Sequence, residues 1–165
     1  MTAEEKIRFT IAEYCHRTDS GDFDGWVKLF AEDGSFRMFG NEVVGHAALR
    51  AFIEQDQPPE LRGLHLTTDS AITLQGDRAR VRSNFIFVAR GDQAGVVVAA
   101  GRYLDILVPR GDAWLFKLRE AELILPVATQ RWGAKAALAR PRRRIEAHQP
   151  RNRGSAKPAT PGSKL

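Results

Sequence analysis

Between Arg78 and Arg90 the chain alternates so regularly that little besides a half-buried β-strand accommodates it. Ala79, Val81, Ser83, Phe85 and Phe87 fall on one side. Arg78, Arg80, Arg82 and Asn84 begin the other, which turns apolar at Ile86 and Val88. Strand-like segments flank this one, at 64–74 before the turn Gln75-Gly76-Asp77, and then at 96–108 and 113–125. Residues 91–95 form the loop ahead of the third segment, and Pro109-Arg110-Gly111-Asp112 the turn ahead of the fourth. Four long strands on short turns predict an antiparallel sheet, whose buried face needs a cover.

The cover is encoded ahead of it, where the apolar period lengthens. Thr2 followed by Glu5 reads as a capping box, so a first helix starts at Ala3 and runs to about Thr18. Ile7, Ile11, Tyr14, Cys15 and Thr18 share one of its faces. After a turn dense in Asp and Gly, Asp22 caps a second helix over 23–31, with Phe23, Trp26, Val27 and Phe30 as its stripe. Residues 35–39 and 42–44 read as a hairpin across Gly40-Asn41. Gly45 opens a third helix that buries Leu49, Phe52 and Ile53 and ends near Gln57, ahead of Pro58-Pro59. Helices first and long strands after define an α+β class, with helices packed on one face of a curved antiparallel sheet.

The charge divides the chain. The net charge is +5 over 165 residues, but 128–165 holds ten Lys or Arg against the single acid Glu146. Residues 1–127 then carry fifteen basic and nineteen acidic side chains, so the high pI belongs to the C-terminal segment. The expected organisation is a globular domain over 1–127 and a basic tail over 128–165, too poor in apolar residues to offset the entropy of ordering. Arg140 to Arg153 has no interleaved aromatics, so it would touch phosphates without reading sequence, and no specific nucleic acid is expected. Ser163-Lys164-Leu165 matches the peroxisomal address, which counts only in a eukaryote. The opening Met-Thr-Ala-Glu-Glu-Lys is unlike a signal peptide, and no apolar run is long enough to span a bilayer. Cys15 is alone and cannot form an internal bridge. The expectation is a cytoplasmic protein. Phosphate loops, zinc-ligand spacing and the serine-hydrolase elbow do not occur, so neither metal nor cofactor is expected.

One set of residues points to a family. Tyr14-x-x-x-x-Asp19 closes the first helix, followed by Gly21-Asp22-Phe23-Asp24-Gly25-Trp26 and Leu29-Phe30-Ala31-Glu32-Asp33-Gly34. Gly45 precedes the third helix, His65 heads a strand, and Gly101-x-Tyr103-x-Asp105 precedes Trp114 and Arg119. In this order and spacing, residues 3–126 resemble the SnoaL-like branch of the nuclear transport factor 2-like superfamily. The resemblance implies a cone: a bent sheet wrapped by three helices around a mostly apolar pocket, often dimeric through the open sheet face. Members include scytalone dehydratase, a bile acid dehydratase, steroid isomerases, polyketide cyclases and the small subunits of ring-hydroxylating dioxygenases.

The resemblance also implies site residues. Tyr14, Asp19 and His65 match positions that carry catalysis in the dehydratases. An imidazole suits removal of a proton alpha to a carbonyl, a carboxylate on its other nitrogen orients it, and a phenol can stabilise the enolate. The alternative is structural: Tyr14 in the core, Asp19 in a polar turn, His65 merely at a strand end. Asn84, Tyr103, Arg119 and Trp26 are the candidates for substrate contact, Arg119 either anchoring an anionic group or pairing with Asp105. There are departures from the family. Asn84 stands where dehydratases carry a titrating residue, and Phe36, Arg37 and Met38 replace the base carboxylate of the isomerases. Two functions are therefore carried forward. One is a cofactor-independent lyase or isomerase acting on a hydrophobic cyclic small molecule, in a homodimer. The other is a non-catalytic binding or assembly subunit like those of the ring-hydroxylating dioxygenases.

Overall fold

The computed structural model describes residues 1–90 and 95–125. Helices α1 (Ala3–Ser20), α2 (Phe23–Val27) and α3 (His46–Asp56) accompany strands β1 (Phe30–Met38), β2 (Asn41–Val44), β3 (Gly63–Gln75), β4 (Arg78–Ala89), β5 (Val96–Arg110) and β6 (Ala113–Leu125). The strands form one curved, open sheet in the order β2-β1-β6-β5-β4-β3. Every neighbouring pair is antiparallel except β1 and β6, which run parallel, a pairing that the alternation alone does not predict. The tail, the terminal tripeptide and the loop at 91–94 lie outside the described residues.

α1 forms where its signals place it. The Glu5 N–H donates to Thr2 Oγ1 at 3.2 Å and the Thr2 N–H to Glu5 Oε2 at 2.7 Å, a closed capping box. Gly21, at φ 79°, ends the helix in the left-handed region, and its N–H reaches the Arg17 and Thr18 carbonyls. The buried face is Ile7, Thr10, Ile11, Tyr14, Cys15 and Thr18. The second helix is shorter than its stripe predicts. Asp22 caps it as expected, through the Gly25 N–H at 2.9 Å, but Phe30 and Ala31 already belong to β1. Phe30 pairs with Phe116 across the sheet and both are buried there; sheet pairing has overridden a local helical pattern. The first hairpin turns on Phe39-Gly40 rather than Gly40-Asn41, since Met38 pairs with Asn41 and both turn residues have positive φ.

Register arranges the concave face in rows. His65, Phe87 and Ala99 form one, and Thr67, Phe85, Gly101 and Leu123 the next. Ser83, Tyr103 and Ala121 follow, then Val81, Asp105, Arg119 and Phe36. A bulge in β3 at Asp69, where φ is 54°, shifts the β3–β4 register between Thr68 and Ala71. α1 lies across these rows, with the Cys15 sulfur 3.2 Å from Thr67 Oγ1 and the Thr10 hydroxyl donating to the Trp114 carbonyl at 2.7 Å. Trp26, Phe30 and Phe116 are all but inaccessible, each contributing roughly 2–3 kcal/mol of transfer free energy.

Gly101 is the tightest point of the wall. A Cβ there would lie 2.0 Å from the Glu122 carbonyl oxygen and 2.8 Å from the Phe85 ring. Backbone must yield to admit even one methyl group, so Gly101→Ala should destabilise the fold by about 2–3 kcal/mol in urea unfolding. A loss below about 0.5 kcal/mol would show that β5 and β6 separate there at little cost.

Candidate active site

Asp19 lies in the last turn of α1, directly against the head of β3. One carboxylate oxygen accepts the His65 backbone N–H at 2.9 Å, and the other sits 2.6 Å from His65 Nδ1. A carboxylate only accepts, so Nδ1 carries a proton, and in the neutral imidazole the lone pair is on Nε2. Both side chains are mostly buried, at 11 % and 15 % exposure for His65 and Asp19, and the imidazole packs on Phe87 with ring centroids 4.4 Å apart. Such a dyad can hold a neutral imidazole in one tautomer and stabilise it when it gains a proton.

Tyr14 is one and a half turns earlier on α1 and points deeper. Its ring touches those of Trp26, Phe30, Tyr103 and Phe116 at centroid separations of 5.5, 6.4, 5.9 and 5.9 Å. The Tyr103 ring lies edge-on to that of Tyr14, so the two phenols belong to one buried cluster. Burial, reinforced by the neighbouring Tyr103, pushes the Tyr14 hydroxyl well above its ordinary pKa, and burial does the same to Tyr103. Both stay protonated through the physiological range. A protonated phenol can donate its O–H to a ligand oxygen.

Arg119 occupies the centre. It is 0 % exposed, and its guanidinium carbon lies 4.0 Å from the Tyr14 ring centroid, 3.7 Å from that of Tyr103 and 4.7 Å from that of Phe116. Asp105 stands opposite it in the strand register, Arg119 Nε to Asp105 Oδ1 being 3.7 Å. That is an ion pair, too long for a hydrogen bond. Burial raises the Asp105 carboxyl to a pKa of about 6, although the Arg119 charge pulls the other way.

The candidate residues thus fall into two linked groups, Asp19 with His65 at the head of β3 and Tyr14, Tyr103, Trp26 and Arg119 inside. Asn84 is in neither. It is exposed on the opposite face of β4, where its amide donates to Asp69 at 3.3 Å, because the alternation that turns Ser83 and Phe85 inward turns Asn84 out. The substrate contact expected of it is withdrawn. His16 is exposed on α1, and His46, the first residue of α3, has its Nε2 2.9 Å from the Phe30 carbonyl oxygen. Sequence reasoning missed the Cys15–Thr67 contact and the close approach at Gly101; a glycine inside a strand pattern was the available signal for the second. A separate hollow of about 520 Å³ opens on the other side of the sheet, beside Asp33, Glu42, Arg110 and Lys117, and contains none of these residues. Among the described residues no group of three or more His, Cys, Asp or Glu is placed to hold a metal ion, and no helix is long and apolar enough to cross a membrane.

A fold built this way is shared with known proteins. The SnoaL-like domain matches residues 1–120, and the chain belongs to that family. A Mycobacterium tuberculosis protein of unknown function is 30% identical over 72% of this chain and 74% of its own, with a TM-score of 0.68. A nuclear transport factor 2-like protein with a cystatin-like fold from Novosphingobium aromaticivorans is 25% identical, covering 76% and 84% of the two chains at a TM-score of 0.70. A candidate scytalone dehydratase from the same organism shares the fold at 22% identity and a TM-score of 0.66, over 74% of this chain and 84% of that one. No curated protein matches the sequence significantly.

The Asp105 carboxyl gives a direct check on the electrostatics. Its pKa is raised on folding, so the native state holds the proton more tightly than the unfolded chain. Its contribution to stability is therefore full below the ordinary carboxylate pKa of roughly 4 and is lost as pH rises through about 6. Carboxyl ¹³C titration of Asp105 should show a midpoint near 6; an ordinary value near 4 would mean that water reaches the group.

Proposed function

We propose that the chain is a cofactor-independent lyase or isomerase that moves a proton on a hydrophobic cyclic carbonyl or hydroxyl compound. The observation that carries this reading is the double hold of Asp19 on His65, which commits Nδ1 to the carboxylate and leaves Nε2 as the base. His65 takes the proton, Asp19 orients the ring and stabilises the imidazolium, and the Tyr14–Tyr103 phenol pair donates to the oxygen on which negative charge develops. Tyr103, Trp26 and Arg119 are the substrate-facing groups of the interior. The similarity to a candidate dehydratase is one of fold alone, and the dyad, not that likeness, supports the reaction class.

The same reading includes a homodimer. Leu64, Leu66, Ile86 and Val97 are exposed on the convex side of the sheet, where Leu66 pairs with Ile86, and Leu64 and Val97 both pair with Val88. Apolar surface gathered on one face calls for a cover, and a second copy supplies it. Sedimentation of the purified chain at micromolar concentration should give a dimer. A stable monomer would remove this part of the reading, and assembly only with a different subunit would favour the non-catalytic alternative.

The chemical part is tested on a panel of hydroxylated and keto cyclic compounds, following elimination or double-bond migration by absorbance. On any compound turned over, His65→Ala should lower kcat/KM by about 10²–10⁴-fold with the fold retained. Asp19→Asn should cost less, since the base survives. Tyr14→Phe should lower kcat by about 10²-fold and move KM little, because the phenol acts on charge that develops in the transition state. Near-normal turnover by His65→Ala would remove His65 from the mechanism.

A further inference from the structure

The interior holds more hydrogen-bonding capacity than the protein uses. Both Asp105 oxygens and all three Arg119 nitrogens are buried without a hydrogen-bond partner among the described residues, as is Trp26 Nε1. Buried polar atoms of this kind are rare because each costs the desolvation of a group with nothing in exchange. The rings of Tyr14, Tyr103 and Phe116 surround the Arg119 guanidinium carbon at 4.0, 3.7 and 4.7 Å but leave its nitrogens without a hydrogen-bond acceptor among the described residues.

The charges decide what that partner is. Arg119 and Asp105 already neutralise one another, so a ligand carboxylate or phosphate would bring an uncompensated charge beside Asp105 in a fully buried site. An apolar group would leave every orphan as it is. A hydroxyl satisfies both sides at once, donating its proton to a carboxylate oxygen and accepting from a guanidinium nitrogen, without changing the net charge. We propose that the Asp105–Arg119 pair recognises a hydroxyl group (alcohol, phenol or enol) on a hydrophobic ligand, seated among the aromatic rings of the cone.

The proposal rests on the reading that the interior takes a small molecule and narrows its class to hydroxylated rather than acidic compounds. It also overrides the expectation that Arg119 anchors an anion. The test uses three probes of nearly one shape, 2-naphthol, 2-naphthoate and naphthalene, titrated into the full chain at neutral pH. Binding is followed through the Arg119 Nε–H and Trp26 Nε1–H signals in ¹⁵N-resolved NMR. 2-Naphthol should bind at least about tenfold tighter than either of the others and shift the Arg119 signal. Asp105→Asn alone leaves a buried cation unpaired and puts folding at risk, so the informative variant is the double change Asp105→Leu with Arg119→Met, which removes both charges together. It should bind the three probes within about twofold of one another.

Tightest binding of 2-naphthoate, equal affinity for all three, no binding below millimolar concentration, or an undiminished naphthol preference in the double variant would each overturn the proposal. His65→Ala should keep the naphthol preference intact. Loss of turnover in that variant without any naphthol preference in the wild type would sink the hydroxyl assignment alone. A preference without any effect of His65→Ala on turnover would sink only the acid–base reading.

Discussion

Arg119 brings into the middle of the cone a charge that it cannot shed. A lysine in this place could meet the low dielectric by losing its proton; a guanidinium, far more basic, cannot. The surroundings are arranged accordingly. Asp105 supplies the opposite charge from the adjacent strand, and three aromatic rings present their electron-rich faces to a delocalised, weakly hydrated cation. Tyr14 is one of those rings, so the docking of α1 on the sheet and the accommodation of the charge are the same contact. The position of α1 in turn sets where Asp19 meets β3.

The two polar groups differ in how completely the protein satisfies them. At the dyad both oxygens of Asp19 have partners on His65, and the ring is fixed by that hold and by Phe87. At the inner pair, charge is balanced but hydrogen bonding is not. The first condition suits a group that must keep one tautomer and one direction while protons come and go. The second suits a group whose partner arrives from outside. Between them lie the Tyr14 and Tyr103 phenols, kept protonated by the same burial that encloses Arg119.

Much of this was legible in the chain because it rests on period. The two-residue alternation of β4 gave the inward set Ala79, Val81, Ser83, Phe85 and Phe87 without error, and all five are buried. The capping box and the apolar face of α1 likewise depend only on near neighbours. What was not legible depends on partners distant in sequence. Phe30 carries a helical pattern locally and joins β1 because Phe116 waits across the sheet, and the parallel course of β1 beside β6 cannot be seen from either strand alone. Asn84 was judged by its order in a motif, whereas the pleat of β4 settles its direction. Asp19 and His65 are 46 residues apart, and it was the family pattern, not the local sequence, that brought them together in advance of the coordinates.

The pairing of Asp105 with Arg119 was also foreseen, yet its consequence was not, because an ion pair read from sequence comes without a distance. At 2.8 Å with two parallel hydrogen bonds the same residues would form a closed structural bridge, self-sufficient and indifferent to ligands. At 3.7 Å through Nε alone they form something chemically different: a neutral pair whose donors and acceptors all remain to be used. The register explains why. Asp105 and Arg119 are direct cross-strand partners, and the rings of Tyr14 and Tyr103 both pack against the guanidinium. The aromatic cage that makes the buried cation tolerable is thus also what keeps it from closing on its own counterion.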